Sequence, residues 1–250
     1  MTSQPAAEHA ATTEDFAHNL DAVQSKIEAA ALAAGRPVDS VRLLPVTKTI
    51  PSERLRLAIA AGVTTLGENK VQEAQAKSEE LADLPDLRYA IIGPLQRNKA
   101  KFVARFAHEF HALDSLRLAE TLQRQLEDQD RSLEVYIQVN TSGEDTKSGL
   151  QASEVAELAQ AIEPLDRLVL RGLMTMATNT TDEQVIRGCF RELRQCAEQV
   201  RQKVSHPELF TELSMGMSGD FELAIAEGAT VVRVGQGIFG ARQHPPRNNA

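Results

Sequence analysis

The chain has 250 residues, 42% hydrophobic and 25% charged, the make-up of an ordinary globular protein with one large domain or two small ones. Its net charge of -8 argues against a surface for nucleic acid or anionic membrane. No apolar stretch approaches the length needed to cross a bilayer, and Met1 to Thr13 lacks the basic head and apolar core of a signal peptide.

Residues 1–13 read as a disordered N-terminus. From Asp15 to Ala34 the residues Phe16, Leu20, Val23, Ile27 and Ala31 form one stripe, which predicts an amphipathic helix. Beyond it, short apolar runs alternate with helical patterns. Strands are predicted near 41–47, 64–67, 89–93, 110–113, 134–140, 168–175, 212–215 and 231–235. Helices are predicted near 52–61, 70–82, 98–106, 115–129, 153–162, 183–203 and 219–227. Ser52, Ser115 and Ser153 stand where helix caps are expected. Strands separated by helices imply parallel pairing with right-handed crossovers. Eight such units in this length predict a single-domain α/β fold, a closed (β/α)₈ TIM barrel over residues 14–241. The leading helix would plug or flank it. An open doubly wound sheet competes, but it usually needs fewer strands. It often shows G-x-G-x-x-G after the first strand, where this chain has Val46-Thr47-Lys48-Thr49-Ile50-Pro51. Residues 242–250, rich in proline and asparagine, read as a disordered tail.

Cys189 and Cys196 are seven apart in one predicted helix, too far for a bridge, and read as thiols of a reducing cytosol. His108-Glu109-Phe110-His111 has the wrong spacing for two metal ligands on one helix face, and no metal site is expected.

Lys48 closes the first strand. An amine held against an apolar core tends to lose its proton, and a neutral amine attacks aldehydes and ketones. The competing reading is a lysine that snorkels to the rim of the sheet. The loops after strands 7 and 8 bear on the choice. Strand 7 runs into Ser214-Met215-Gly216-Met217-Ser218-Gly219-Asp220, and a helix follows. Strand 8 runs into Arg233-Val234-Gly235-Gln236-Gly237. In barrels, phosphate often binds at this place, on backbone N–H groups and helix starts. Closure of the barrel sets strand 1 beside strand 8, so Lys48 would stand next to that cradle. An amine beside a phosphate cradle fits a ligand with an aldehyde at one end and a phosphate at the other. Pyridoxal phosphate (PLP) fits, and so does a phosphosugar held as a Schiff base, as in an aldolase.

With these residues in view the chain resembles the pyridoxal phosphate homeostasis protein family, single barrels similar to the N-terminal domain of alanine racemase. The resemblance covers residues 15–241. It rests on Val46-Thr47-Lys48-Thr49, Gly67-Glu68-Asn69 with Val71-Gln72-Glu73, Ile92-Gly93-Pro94-Leu95-Gln96-Arg97-Asn98-Lys99, Lys147-Ser148-Gly149, Arg171-Gly172-Leu173-Met174, Ser214 to Ser218, and Arg233-Val234-Gly235 with Ile238-Phe239-Gly240. The resemblance implies that Lys48 carries PLP as a Schiff base. It implies that Ser218, Gly235 and Gln236 hold the phosphate, that Arg233 faces the pyridine nitrogen, and that Asn69 lines the ring. Ser214 and Met217, in the same motif, complete the expected cofactor set. Two positions depart from the pattern. Ala90 stands where a histidine is usual, and Gln236 stands where Ser or Thr is common, offering an N–H but no hydroxyl.

A racemase needs two acid/base groups, and the racemase relatives take the second, a tyrosine, from another domain. Tyr89 and Tyr136, the two tyrosines, are expected at the starts of strands 3 and 5, near the opposite face. Three readings follow: a cytoplasmic, monomeric PLP carrier that serves apo forms of PLP-dependent enzymes; a PLP-dependent racemase-like enzyme; and a Schiff-base aldolase. Glu144, Asp145 and Lys147, in the long loop after strand 5, are expected to form a lid. Arg97 and Lys99 read either as a draw for an anionic ligand or client or as a solvated loop, and Arg191, Arg194 and Arg201 as a solvated helix face.

Overall fold

The computed structural model describes residues 11–143 and 148–240. In chain order it places α1 (Thr13–Ala33), β1 (Arg42–Pro45), α2 (Ser52–Ala60), β2 (Thr65–Glu68), α3 (Val71–Glu80), β3 (Arg88–Ile91), a 3₁₀ turn (Arg97–Lys99), α4 (Ala100–Phe106), β4 (Glu109–Leu113), α5 (Leu116–Glu127), β5 (Leu133–Gln138), α6 (Ala152–Ile162), β6 (Leu168–Met174), α7 (Glu183–Arg201), β7 (Glu212–Met217), α8 (Phe221–Ala226), β8 (Val231–Val234) and α9 (Gln236–Phe239). All eight expected strands are present. The sheet runs β1-β8-β7-β6-β5-β4-β3-β2, every pair parallel. Between β1 and β2 the ring closes through a bridge from Val46 to Gly67, where Thr47 N–H donates to Gly67 O at 2.9 Å. This is the predicted barrel, and the open-sheet alternative falls.

Thr12 caps α1. Its hydroxyl accepts from Asp15 N–H while the Asp15 carboxylate accepts from Thr12 N–H, so two otherwise orphaned donors are satisfied. The chain is therefore ordered from before Asp15, where the sequence predicted the helix to begin. Phe16, Val23, Ile27 and Ala31 are buried, and the helix flanks the barrel rather than plugging it. It is joined to α9 by Asn19 Nδ2 donating to Ile238 O at 3.0 Å and by Phe16 against Phe239, ring centroids 5.6 Å apart. Each fully buried side chain of this size contributes about 1.5–3 kcal/mol.

Several cap assignments need correction. Ser52 is the first helical residue, with Pro51 before it and no side-chain cap. Ser115 precedes α5 but its side chain caps nothing. Ser153 lies inside α6, whose start is closed by the Glu154 carboxylate accepting from Gln151 N–H at 3.0 Å. Arg194 and Arg201 are not merely solvated. They donate to the carbonyls of Glu227 at 3.2 Å and Phe210 at 2.9 Å, tying α7 to the loops beside it. Arg97 and Lys99 sit in the 3₁₀ turn leading into α4. Residues 144–147, the centre of the expected lid, and residues 1–10 and 241–250 lie outside the described residues.

Two features shape the barrel. Gly172 lets β6 and β7 approach so closely that a Cβ there would lie 1.7 Å from Glu212 O. At the end where the strands begin, charged side chains point inward and pair. Arg42 meets Glu109 at 3.0 Å and Glu212 at 3.2 Å, Arg171 meets Glu212 at 3.2 Å, and Arg88 meets Glu134 at 3.0 Å. Tyr136 is the fourth of six residues in β5, further in than the strand start where it is expected. Its hydroxyl nonetheless points to that end, donating to Glu212 at 2.8 Å.

Candidate functional site

At the other end, where the strands finish, lies an open cavity of about 1450 Å³. Lys48, Asn69, Met217, Ser218, Arg233, Gly235 and Gln236 all line it. Ser214 does not. It is fully buried below the floor, its Oγ accepting from Arg233 Nη1 at 2.8 Å. A register shift between Ser214 and Met217, with Gly216 at φ 91°, carries the chain from the barrel interior up to the rim.

Lys48 lies past the end of β1, in a turn, not within the strand. Its neighbours hold that turn. Lys77 Nζ donates to Thr47 O at 2.8 Å and is clasped by Glu68 at 2.7 Å and Glu73 at 2.8 Å. Thr47 Oγ1 donates to Glu68 Oε1 at 2.5 Å, and Thr49 N–H to Glu73 Oε1 at 2.5 Å. Thr49 has φ 66°, a conformation that costs a β-branched residue energy and persists only where neighbours enforce it. Burial pushes the Glu68 carboxyl up despite the Lys77 ammonium and the Thr47 hydroxyl. The Glu73 carboxyl is held low, because Lys77 and the Thr49 N–H outweigh its partial burial.

The loops after β7 and β8 meet. Gly235 N–H donates to Ser218 Oγ at 3.3 Å, and a Cβ on Gly235 would come 3.0 Å from Val46 O. Gly235 thus brings the β8 loop against the end of β1, beside Lys48. α9 starts at Gln236; Ile238 and Phe239 N–H donate back to Gly235 O, so within the helix only the N–H groups of Gln236 and Gly237 lack a backbone partner.

Arg233 forms part of the floor. Nη2 donates to Thr175 O at 2.7 Å, and burial pushes the guanidinium pKa down to about 10, still cationic at neutral pH. Arg54, absent from the sequence-based set, adds a third cation to the wall. A surface-like position in the first turn of a helix gave no sign of it. Met174, Met176 and Asn179 complete the wall from the β6 side. Among the described lining residues there is no Asp, Glu, His, Tyr or Cys. A concave site with Lys48, Arg54 and Arg233 and no such carboxylate is built for an anion. No cluster of metal-ligating residues occurs among the described residues.

A family model described as alanine racemase, N-terminal domain, matches residues 17–243. The pyridoxal phosphate homeostasis protein of Pseudomonas aeruginosa is 42% identical over 229 residues, covering 92% of this chain and 96% of its own. That of Escherichia coli K12 is 43% identical over 233 residues, covering 92% and 98%. The chain belongs to the pyridoxal phosphate homeostasis protein family.

Solved structures agree. A protein described as unknown, from Bifidobacterium adolescentis, matches with a TM-score of 0.85 at 37% identity, covering 94% of this chain and all, 100%, of its own. PipY of Synechococcus elongatus, solved with PLP bound, matches with a TM-score of 0.77 at 36% identity, covering 90% and 100%. Alanine racemase of Clostridium difficile, at 15% identity, covers 95% of this chain and 58% of its own with a TM-score of 0.68, and shares the fold alone. Of the two departures from the pyridoxal phosphate homeostasis protein pattern, Ala90 is buried beside Leu44 and Val231 and is absent from the cavity wall, whereas Gln236 lies on it.

Proposed function

We propose that this protein binds PLP reversibly in the cavity and serves PLP homeostasis, with Lys48 holding the aldehyde carbon as a Schiff base. PLP supplies an aldehyde that an amine can capture and a ring that can take up charge. The observation that carries the reading is the meeting of Lys48, Arg233 and the Ser218–Gly235 contact around one cavity with no carboxylate among its described lining residues. The donor set fits the group. Ser218 Oγ and the N–H groups at Gly235, Gln236 and the start of α9 offer donors to a phosphate. Arg233 would donate to the ring nitrogen, which a guanidinium can do only while that nitrogen keeps its lone pair. Asn69 and Met217 flank the ring. Ser214 takes a place beneath Arg233 instead of on the ligand.

The carrier reading is favoured over a racemase-like enzyme by the lining. Lys48 is the general base the wall offers, and no second acid/base side chain stands opposite it among the described residues. The hydroxyls of Tyr89 and Tyr136 are occupied elsewhere, by Lys77 O at 3.3 Å and Glu212 at 2.8 Å. The proposal includes a monomer in the cytoplasm that passes PLP to apo forms of PLP-dependent enzymes. It is supported by the net charge of -8, by the free, buried Cys189 and Cys196, and by the absence of a membrane-length apolar helix among the described residues.

The test is absorbance of the purified protein with PLP, borohydride reduction and peptide mapping, on wild type and Lys48→Ala. Wild type should show a band above 400 nm that reduction fixes on Lys48, roughly the signature of a protonated imine on PLP. Lys48→Ala should lose the band and bind at least about tenfold more weakly, about 1.4 kcal/mol. A variant that binds and releases PLP like wild type overturns the reading. Rapid racemisation of amino acids by wild type would favour the enzyme.

A further inference from the structure

Beneath the cavity floor a line of polar side chains crosses the barrel. Arg233 Nη1 donates to Ser214 Oγ at 2.8 Å, and Ser214 Oγ lies 2.9 Å from His111 Nδ1. His111 Nε2 lies 2.9 Å from Glu109 Oε2, and Glu109 accepts from Arg42 at 3.2 and 3.0 Å. β8, β7, β4 and β1 thus build a path from the cavity to the opposite mouth. Arg233, Ser214, His111 and Glu109 are each at most 3% exposed.

The ends of this path fix its direction. A guanidinium only donates and a carboxylate only accepts. The Glu109 carboxylate takes the proton on His111 Nε2, so in the neutral ring Nδ1 accepts, and Ser214 Oγ, which receives an N–H from Arg233, donates its own proton there. A histidine that accepts at Nδ1 carries its proton on Nε2, which faces the Glu109 carboxylate. Every group is then satisfied in one arrangement: Arg233 to Ser214 to His111 to Glu109. Protonating His111 would turn Nδ1 into a second donor against Ser214 Oγ. It would also add a cation between Arg233 and Arg42. Burial chiefly, and those two charges, push the His111 pKa down against the pull of Glu109. Tyr136 holds the ring from the side, stacked at 3.9 Å.

A buried polar path is costly unless every member is satisfied, and an apolar core would pack as well. This one is satisfied throughout and ends on a residue of the cavity floor. We propose that Glu109, His111 and Ser214 are positioning residues that orient the Arg233 guanidinium so that its remaining N–H groups serve the ligand in the cavity. The inference rests on the PLP reading for the identity of that ligand, whose ring nitrogen Arg233 would meet.

The experiment has one arm without PLP and one with it. In the apo protein, ¹⁵N NMR of the His111 ring should show imidazole that stays neutral, protonated on Nε2, as pH falls through the ordinary histidine value of about 6.5. In Ser214→Ala the donor to Nδ1 is gone; Nε2 keeps its proton against Glu109, and the Nδ1 resonance should shift as that nitrogen loses its hydrogen bond. With PLP, Ser214→Ala should bind roughly tenfold more weakly and shift the pH profile of the absorbance band. Ser214→Thr, which keeps the hydroxyl, should stay within about threefold of wild type. Should Ser214→Ala not fold, Glu109→Gln tests the path from its other end: an amide can donate or accept, so the tautomer is freed and a mixture is expected, with the same weakening of PLP binding. An imidazolium or an Nδ1–H tautomer in the wild-type apo protein overturns the relay. So does wild-type affinity and pH profile in the folded variant. A wild type that binds no PLP defeats the functional reading alone, since the apo spectra still decide the relay.

Discussion

At the mouth where the strands begin, Arg42, Arg88 and Arg171 face Glu109, Glu134 and Glu212 and are neutralised by them. At the mouth where they end, Lys48, Arg54 and Arg233 face a cavity that holds no carboxylate among its described lining residues. The same eight strands carry both. The first set ties the strands together around Glu109, whose side chain is 3% exposed, although Arg42 and Arg88 also reach solvent. The second set lines a concave site together with backbone N–H groups of glycine-rich loops, a grouping that suits a negative ligand. At one end the basic side chains cross-link strands through carboxylates; at the other they stand on a cavity wall.

Three changes sharpen this contrast. The largest effect is expected from Glu212→Ala, which leaves Arg42, Arg171 and the Tyr136 hydroxyl without an acceptor they now share. It should cost about 3 kcal/mol in urea unfolding and leave PLP affinity within about twofold. Equal damage to both would show that the two mouths are not separable. Lys77→Met comes next. It removes the tie to Thr47 O and leaves the buried Glu68 without its counter-ion. Stability should fall by about 2 kcal/mol, and PLP affinity should fall severalfold because the Lys48 turn loosens. Unchanged affinity would mean that the brace does not set Lys48. The smallest effect, taken per pH unit, is the response to acid. Burial alone would raise the Glu109 carboxyl, but the His111 hydrogen bond and Arg42 outweigh it and hold its pKa down at about 2, below the ordinary value of 4.5. A carboxyl depressed in the folded state stabilises fully above its unfolded value and loses that stabilisation as pH falls through the folded one. Glu109 should therefore cost up to about 1.4 kcal/mol per pH unit between about pH 4.5 and about pH 2, seen as a falling urea midpoint that Glu109→Gln flattens.

The barrel was legible because its strands are short apolar runs that helices separate, and chain order alone then dictates parallel pairing. α9 escaped notice because a single turn, Gln236–Phe239, shows no helical period. Seven of the eight expected residues line the cavity; Lys48, Ser218 and the glycine-rich run at Gly235 were local signals, while Asn69 and the ring-facing role of Arg233 came with the family resemblance. Ser214 was misplaced for a geometric reason. It shares a motif with Ser218, but the shift in β7 puts it below the floor. The paired mouth was invisible. Arg42, Glu109, Tyr136 and Glu212 each look like an isolated polar residue in an apolar run, and only closure of the ring brings them together. Lys77 gives no sign of its role in the sequence for the same reason, since its partners Glu68 and Thr47 lie on other elements.

The seam at Val46 and Gly67 has a consequence for assembly. β1 has its full ladder with β8, nearly the whole chain away, and only a single bridge to β2, its neighbour in sequence. Contacts between distant segments form late, because the intervening chain must first be drawn together. A chain synthesised from its N-terminus therefore makes Lys48 early and completes the strand that carries it last, when residues 231–234 dock. The cavity is the final part of the molecule to exist, so only a fully folded chain offers the amine in its place.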